Sequence, residues 1–77
     1  MTPAVRIRLS PRLGRRYEIL PEPVALPDLR RAIREVAGPG LWEPEEGEAL
    51  ARAIVERDHV AAQDPAFHLG LIVELIA

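Results

Sequence analysis

Seventy-seven residues, 48% apolar and 29% charged, suit one small globular domain spanning residues 1–77 rather than a disordered chain. The chain has no Cys, which excludes a disulfide framework and a thiolate metal site. The net charge of −2 is unevenly spread: eight Arg against three acids give +5 over residues 1–34, and two Arg against nine acids give −7 over residues 35–77.

No apolar run approaches the ~20 residues that a membrane-spanning helix needs. Met1-Thr2-Pro3-Ala4 has no apolar signal-peptide core, so a cytoplasmic protein with no membrane partner is expected. All ten cationic residues are Arg, eight residues are Pro and none is Asn. That bias suits a thermophile, and a GC-rich genome would produce it equally well.

Val5-Arg6-Ile7-Arg8-Leu9 alternates apolar and charged side chains, the period-2 pattern of a strand with one face buried. Residues 10–20 admit two readings. In one, Ser10-Pro11-Arg12-Leu13-Gly14 is a hairpin loop and Arg15–Leu20 a return strand with Tyr17 and Ile19 facing inward. In the other, Ser10 caps a helix on which Leu13, Tyr17 and Leu20 share one face, with Gly14 in its interior and Pro21 ending it. The hairpin is the preferred reading.

Pro21-Glu22-Pro23 reads as an extended connector. A helix then begins at Pro27 or Asp28. Leu29, Ala32, Ile33, Val36 and Ala37 form its apolar face, and Gly38-Pro39-Gly40 stops it. Trp42 anchors the following turn. Pro44 opens a second helix with acids in its first turn and an apolar stripe through Leu50, Ala53, Ile54, Val60 and Ala61. Arg57 falls inside that stripe, and Asp64-Pro65 ends or redirects the chain.

Residues 69–76 are apolar on both sides. Drawn as a strand, Leu69, Leu71, Val73 and Leu75 share one face, with Ile72 and Ile76 on the other, and such a strand belongs in a buried position. A third helix started at Asp64-Pro65 is the alternative. The preferred order is β-β-α-α-β, an α+β two-layer sandwich: an N-terminal hairpin and a C-terminal strand, with two helices on one face.

The chemistry-bearing residues are few. There is one Ser and one Thr: Ser10 suits a turn or cap, and Thr2 lies at the terminus. Asp58, His59, Asp64 and His68 could in principle ligate a metal, but their spacing matches no ligand motif. Glu43, Glu45, Glu46 and Glu48 read as acids decorating a helix start rather than an acid–base pair in a cleft. No glycine-rich loop precedes a helix. No enzyme, metal or cofactor is expected.

A non-enzymatic protein-interaction or assembly module remains. It is expected to be a homodimer that also meets an unidentified protein, with Ile72, Ile76 and Trp42 as candidate interface residues.

The alternative concerns nucleic acid. Val5-Arg6-Ile7-Arg8-Leu9-Ser10-Pro11, followed by a helix over 12–20 and another over 28–37, resembles the ribbon-helix-helix layout of antitoxins and repressors. The resemblance covers about half the chain, and Gly14, Pro21 and the proline-rich connector depart from it. It implies that paired N-terminal strands of a dimer enter the major groove. Arg6 and Arg8 would then read bases, Arg12 would meet phosphate, and the acidic half would bind a protein partner. A hairpin followed by a helix also resembles the start of ubiquitin-like folds. Conjugation is not expected, because residues 75–77 read Leu-Ile-Ala rather than ending in Gly-Gly.

Overall fold

A computed structural model, describing residues 3–76, resolves both ambiguous segments as strands. The alternating segment forms β1 (Ala4–Leu9), and a turn closed by the Leu13 amide donating to the Ser10 carbonyl at 2.8 Å leads into β2 (Tyr17–Pro21). After α1 (Leu26–Ala37), α2 (Pro44–Val55) and α3 (His59–His68), the chain returns as β3 (Leu71–Ile76). The sheet is antiparallel throughout, in the order β2-β1-β3. The fold is therefore α+β with the expected strands and one more helix than expected.

The extra helix comes from a break in the expected second one. Arg57 adopts the left-handed conformation, with φ 51°, between α2 and α3. Its amide donates to the Ile54 carbonyl at 2.9 Å and the next amide, of Asp58, to the Ala53 carbonyl, which closes α2. The Asp58 carboxylate then accepts from the Ala61 amide at 3.0 Å, so Asp58 rather than Asp64 caps α3. Pro65 is buried inside that helix instead of ending or redirecting it. Val60 and Ala61, expected on a buried stripe, are exposed. Arg57 leaves the apolar stripe and pairs with Glu22.

Register corrects β2 as well. Leu9 donates to the Arg16 carbonyl at 2.9 Å, so Ile7 lies opposite Glu18 and Val5 opposite Leu20. Glu18 and Leu20 therefore share the inner side, while Tyr17 and Ile19 face outward beside Arg8 and Arg6. Glu18 at this sheet margin reaches Arg31 on α1 at 3.5 Å.

The core joins Val5, Ile7 and Leu9 of β1, and Leu71 of β3, to apolar residues from all three helices, among them Leu29, Ile33, Leu50, Ile54 and Ala66. Trp42 packs against this cluster. Its ring covers Gly47, where a Cβ would overlap it, and Arg34 stacks on the ring 5.3 Å from its centroid. Part of the charge asymmetry cancels within the fold: Arg30 pairs with Glu48, and Arg6 and Arg8 pair with Glu74.

β3 is not in the buried position its two-sided apolar pattern suggested. β1 is the central strand, and β3 lies at an edge.

Candidate interaction surface

Alternation along the strands places three short rows on the outer side of the sheet. Tyr17, Arg8 and Ile72 form one row, Ile19, Arg6 and Glu74 the next, and Pro21, Ala4 and Ile76 the third. Tyr17 is 60% exposed, Ile19 52% and Ile76 38%. Glu74 is the electrostatic centre, 3.3 Å from Arg8 and 3.7 Å from Arg6. Arg6 also lies 5.7 Å from the centroid of the Tyr17 ring, and its Nε has no hydrogen-bond partner. Ile72 and Ile76 thus share one surface, whereas Trp42 packs half-buried against α1 and α2 and is not brought to them.

The two edges of the sheet differ. Backbone groups alternate in direction along a strand. Leu9 donates toward β2 and Ser10 donates to the Gly70 carbonyl at 2.8 Å, so the odd-numbered residues of β1 bond β2 and the even-numbered ones bond β3. By this alternation the amides and carbonyls of Leu71, Val73 and Leu75 point away from the sheet. On β2 the outward positions are Tyr17, Ile19 and Pro21, and Pro21 has no donor to offer. Proline is a common device for closing an edge to further strands, and β3 has none.

A groove of about 270 Å³ runs along the β3 edge between Leu71 and Val73 on one side and His59, Gln63, Ala66 and Phe67 of α3 on the other. Phe67 is 80% exposed beside it, and Val60, two helical turns earlier, is 78% exposed. Sequence reasoning missed these two residues. Their seven-residue spacing on one helix face was the available signal, obscured by assigning Val60 to a buried stripe of the preceding helix.

The remaining candidates have structural roles. Glu48 accepts from Arg30 at 2.6 and 3.0 Å and pairs with Arg52 at 2.9 Å. The Arg30 hydrogen bonds hold its carboxyl below the usual glutamate range and raise the Arg30 guanidinium. A Glu46 carboxylate oxygen lies 3.5 Å from His68 Nδ1. The Ser10 carbonyl caps the hairpin turn, Arg12 lies exposed in that turn, and Thr2 is outside the described residues. Among the described residues no three His, Cys, Asp or Glu side chains are grouped to hold a metal ion, and no helix is long and apolar enough to cross a membrane.

The ribbon-helix-helix layout does not form. Its first helix would occupy 12–20, where the chain makes a turn and β2. Its dimer ribbon needs a free edge on the first strand, and β1 is paired on both sides. Arg6 and Arg8 are drawn to Glu74 across the sheet face. Comparison with protein-family models, curated proteins and solved structures found no match.

Proposed function

We propose that this chain is a non-enzymatic assembly module that works by self-association, using the side of the molecule built from β3 and α3. The observation that carries this reading is the gathering of apolar side chains there: Phe67 and Val60 exposed on α3, Ile76 exposed and Ile72 half-buried on β3. A chain of 77 residues has a limited core, and association is a common way for so small a domain to bury apolar surface left outside it. On β3 the charged group, Glu74, is engaged with Arg6 and Arg8, which favours recognition there by shape and apolar contact over capture of a charged ligand.

Sedimentation equilibrium tests the reading directly. The wild-type chain is expected at twice its 8.6 kDa mass, and Ile72→Glu is expected to shift it toward monomer. A wild-type mass of 8.6 kDa at every concentration examined removes the proposal.

A further inference from the structure

We infer that two copies join edge to edge through β3, antiparallel and centred on Val73, so that their sheets run together as one six-stranded sheet. This rests on the self-association reading and specifies its geometry.

The free edge offers three pairs of backbone groups, on Leu71, Val73 and Leu75. An antiparallel copy of the same strand supplies matching groups at the same spacing, and strand addition to an open edge is an established mode of recognition. Three two-fold registers keep at least half of the strand paired, centred on residue 72, 73 or 74. Centring on Glu74 sets the two Glu74 carboxylates directly opposite, which destabilises a sheet. Centring on Ile72 pairs only residues 71–73 within β3 and leaves Glu74, Leu75 and Ile76 without strand partners. Centring on Val73 pairs Leu71 with the second copy's Leu75 and Val73 with itself, using every outward backbone group.

Charge favours the same register. Glu74 then lies opposite the second copy's Ile72, whose row neighbour is that copy's Arg8. The outer face of each copy carries Arg6 and Arg8 against the single carboxylate of Glu74. The surplus cation of one copy thus faces the carboxylate of the other across Ile72.

The helices agree with the strands. The two-fold axis that makes β3 antiparallel to its copy also sets the two α3 helices antiparallel, side by side across the joined edge. Val60, Gln63, Asp64 and Phe67 follow the i, i+3, i+4, i+7 spacing of one helix stripe, and all four are exposed. Antiparallel apposition about the middle of this stripe puts Val60 against the second copy's Phe67. It also puts the Gln63 amide where it donates to the second copy's Asp64 carboxylate. One exposed stripe is therefore complementary to itself.

The absence of native Cys makes cross-linking a clean test. In this register residues 72 and 74 of different copies form a non-hydrogen-bonded pair with Cα atoms about 4.5 Å apart, within disulfide range. A mixture of Ile72→Cys and Glu74→Cys chains under mild oxidation is expected to give a covalent heterodimer. Each variant alone is expected to stay uncross-linked, since its own two copies are diagonal and about 7–8 Å apart. Cross-linking of Ile72→Cys alone, or between Ile72→Cys and Ile76→Cys chains that both keep Glu74, establishes another register and overturns this one. A dimeric mass with no cross-link in the mixture overturns the edge-to-edge geometry and leaves self-association standing. A monomeric wild-type mass overturns both. Phe67→Glu, at an exposed position outside the core, is expected to weaken the dimer at least about tenfold without loss of fold. An unchanged dissociation constant overturns the helix contact.

Discussion

Arg30 of α1 donates two hydrogen bonds, at 2.6 and 3.0 Å, to the carboxylate of Glu48 on α2, in the side-by-side geometry of a guanidinium and a carboxylate. The pair ties together two helices whose contact is otherwise apolar. Arg52 approaches the same carboxylate from one turn further along α2.

The first prediction follows from the lowered ionisation range of Glu48, caused chiefly by the Arg30 hydrogen bonds. A carboxyl lowered in the folded state contributes stability above its unfolded ionisation range and loses it as pH falls through the folded one. Arg30 stays charged throughout, so its own raised range adds no pH dependence here. Urea unfolding of the wild type and Glu48→Gln is expected to differ near neutral pH and to converge in acid. A gap that persists in strong acid assigns the effect of the substitution to packing.

Trp42 and Gly47 give the second prediction. The indole lies over Gly47 so closely that a Cβ would overlap the ring. Gly47→Ala is expected to destabilise the fold by about 1–3 kcal/mol, because an overpacked site must displace its neighbour. It should also change the emission of the single Trp as the ring moves toward solvent. Gly40→Ala, where nothing lies within 4 Å of the added methyl, is the control.

Arg57 carries the third. It holds φ 51° although it is not Gly, in a region that disfavours side chains bearing a Cβ. Arg57→Gly and Arg57→Ala both remove the ion pair with Glu22, so their comparison isolates the backbone. The Gly variant is expected to be more stable than the Ala variant by about 1 kcal/mol in chemical unfolding.

The fourth prediction uses the direction of the Val73 amide. It points out of the sheet, so Val73→Pro removes no bond between β1 and β3. The variant is expected to keep its fold by circular dichroism and sediment as a monomer. Retention of the dimer would show that the Val73 amide is not used between copies.

Much of this architecture was legible in the sequence. The five-residue alternation of β1 and the apolar stripe of α1 are long enough to fix period and face together. In β2 both possible faces mix apolar with polar residues, and the inward face was settled by pairing with β1. Leu9 bonds Arg16, which turns Glu18 inward, and Arg31 from α1 is there to receive it. No property of residues 15–20 alone carries that information. The single helix expected after Pro44 failed at Arg57 for a related reason. The apolar spacing continues through the break, but the backbone turns left-handed where Arg57 meets Glu22, a partner 35 residues away in sequence. The apolar residues of β3 were recognised, while its place at an edge depends on β1 taking the centre. Ile72 and Ile76 were identified on the outer face, whereas Val60 and Phe67 emerged only once α3 was a helix with its own cap.

The central position of β1 has a consequence for how the molecule is made. The strand formed by residues 4–9 pairs on one side with residues 17–21 and on the other with residues 71–76. A nascent chain can close the hairpin early, but the β1–β3 ladder must wait until residues 71–76 have left the ribosome. Until then the far edge of β1, with Val5, Ile7 and Leu9 beside it, has no strand to complete it. A delay in synthesis after α2 would prolong that state, and the contact of greatest sequence separation is expected to set the pace of folding.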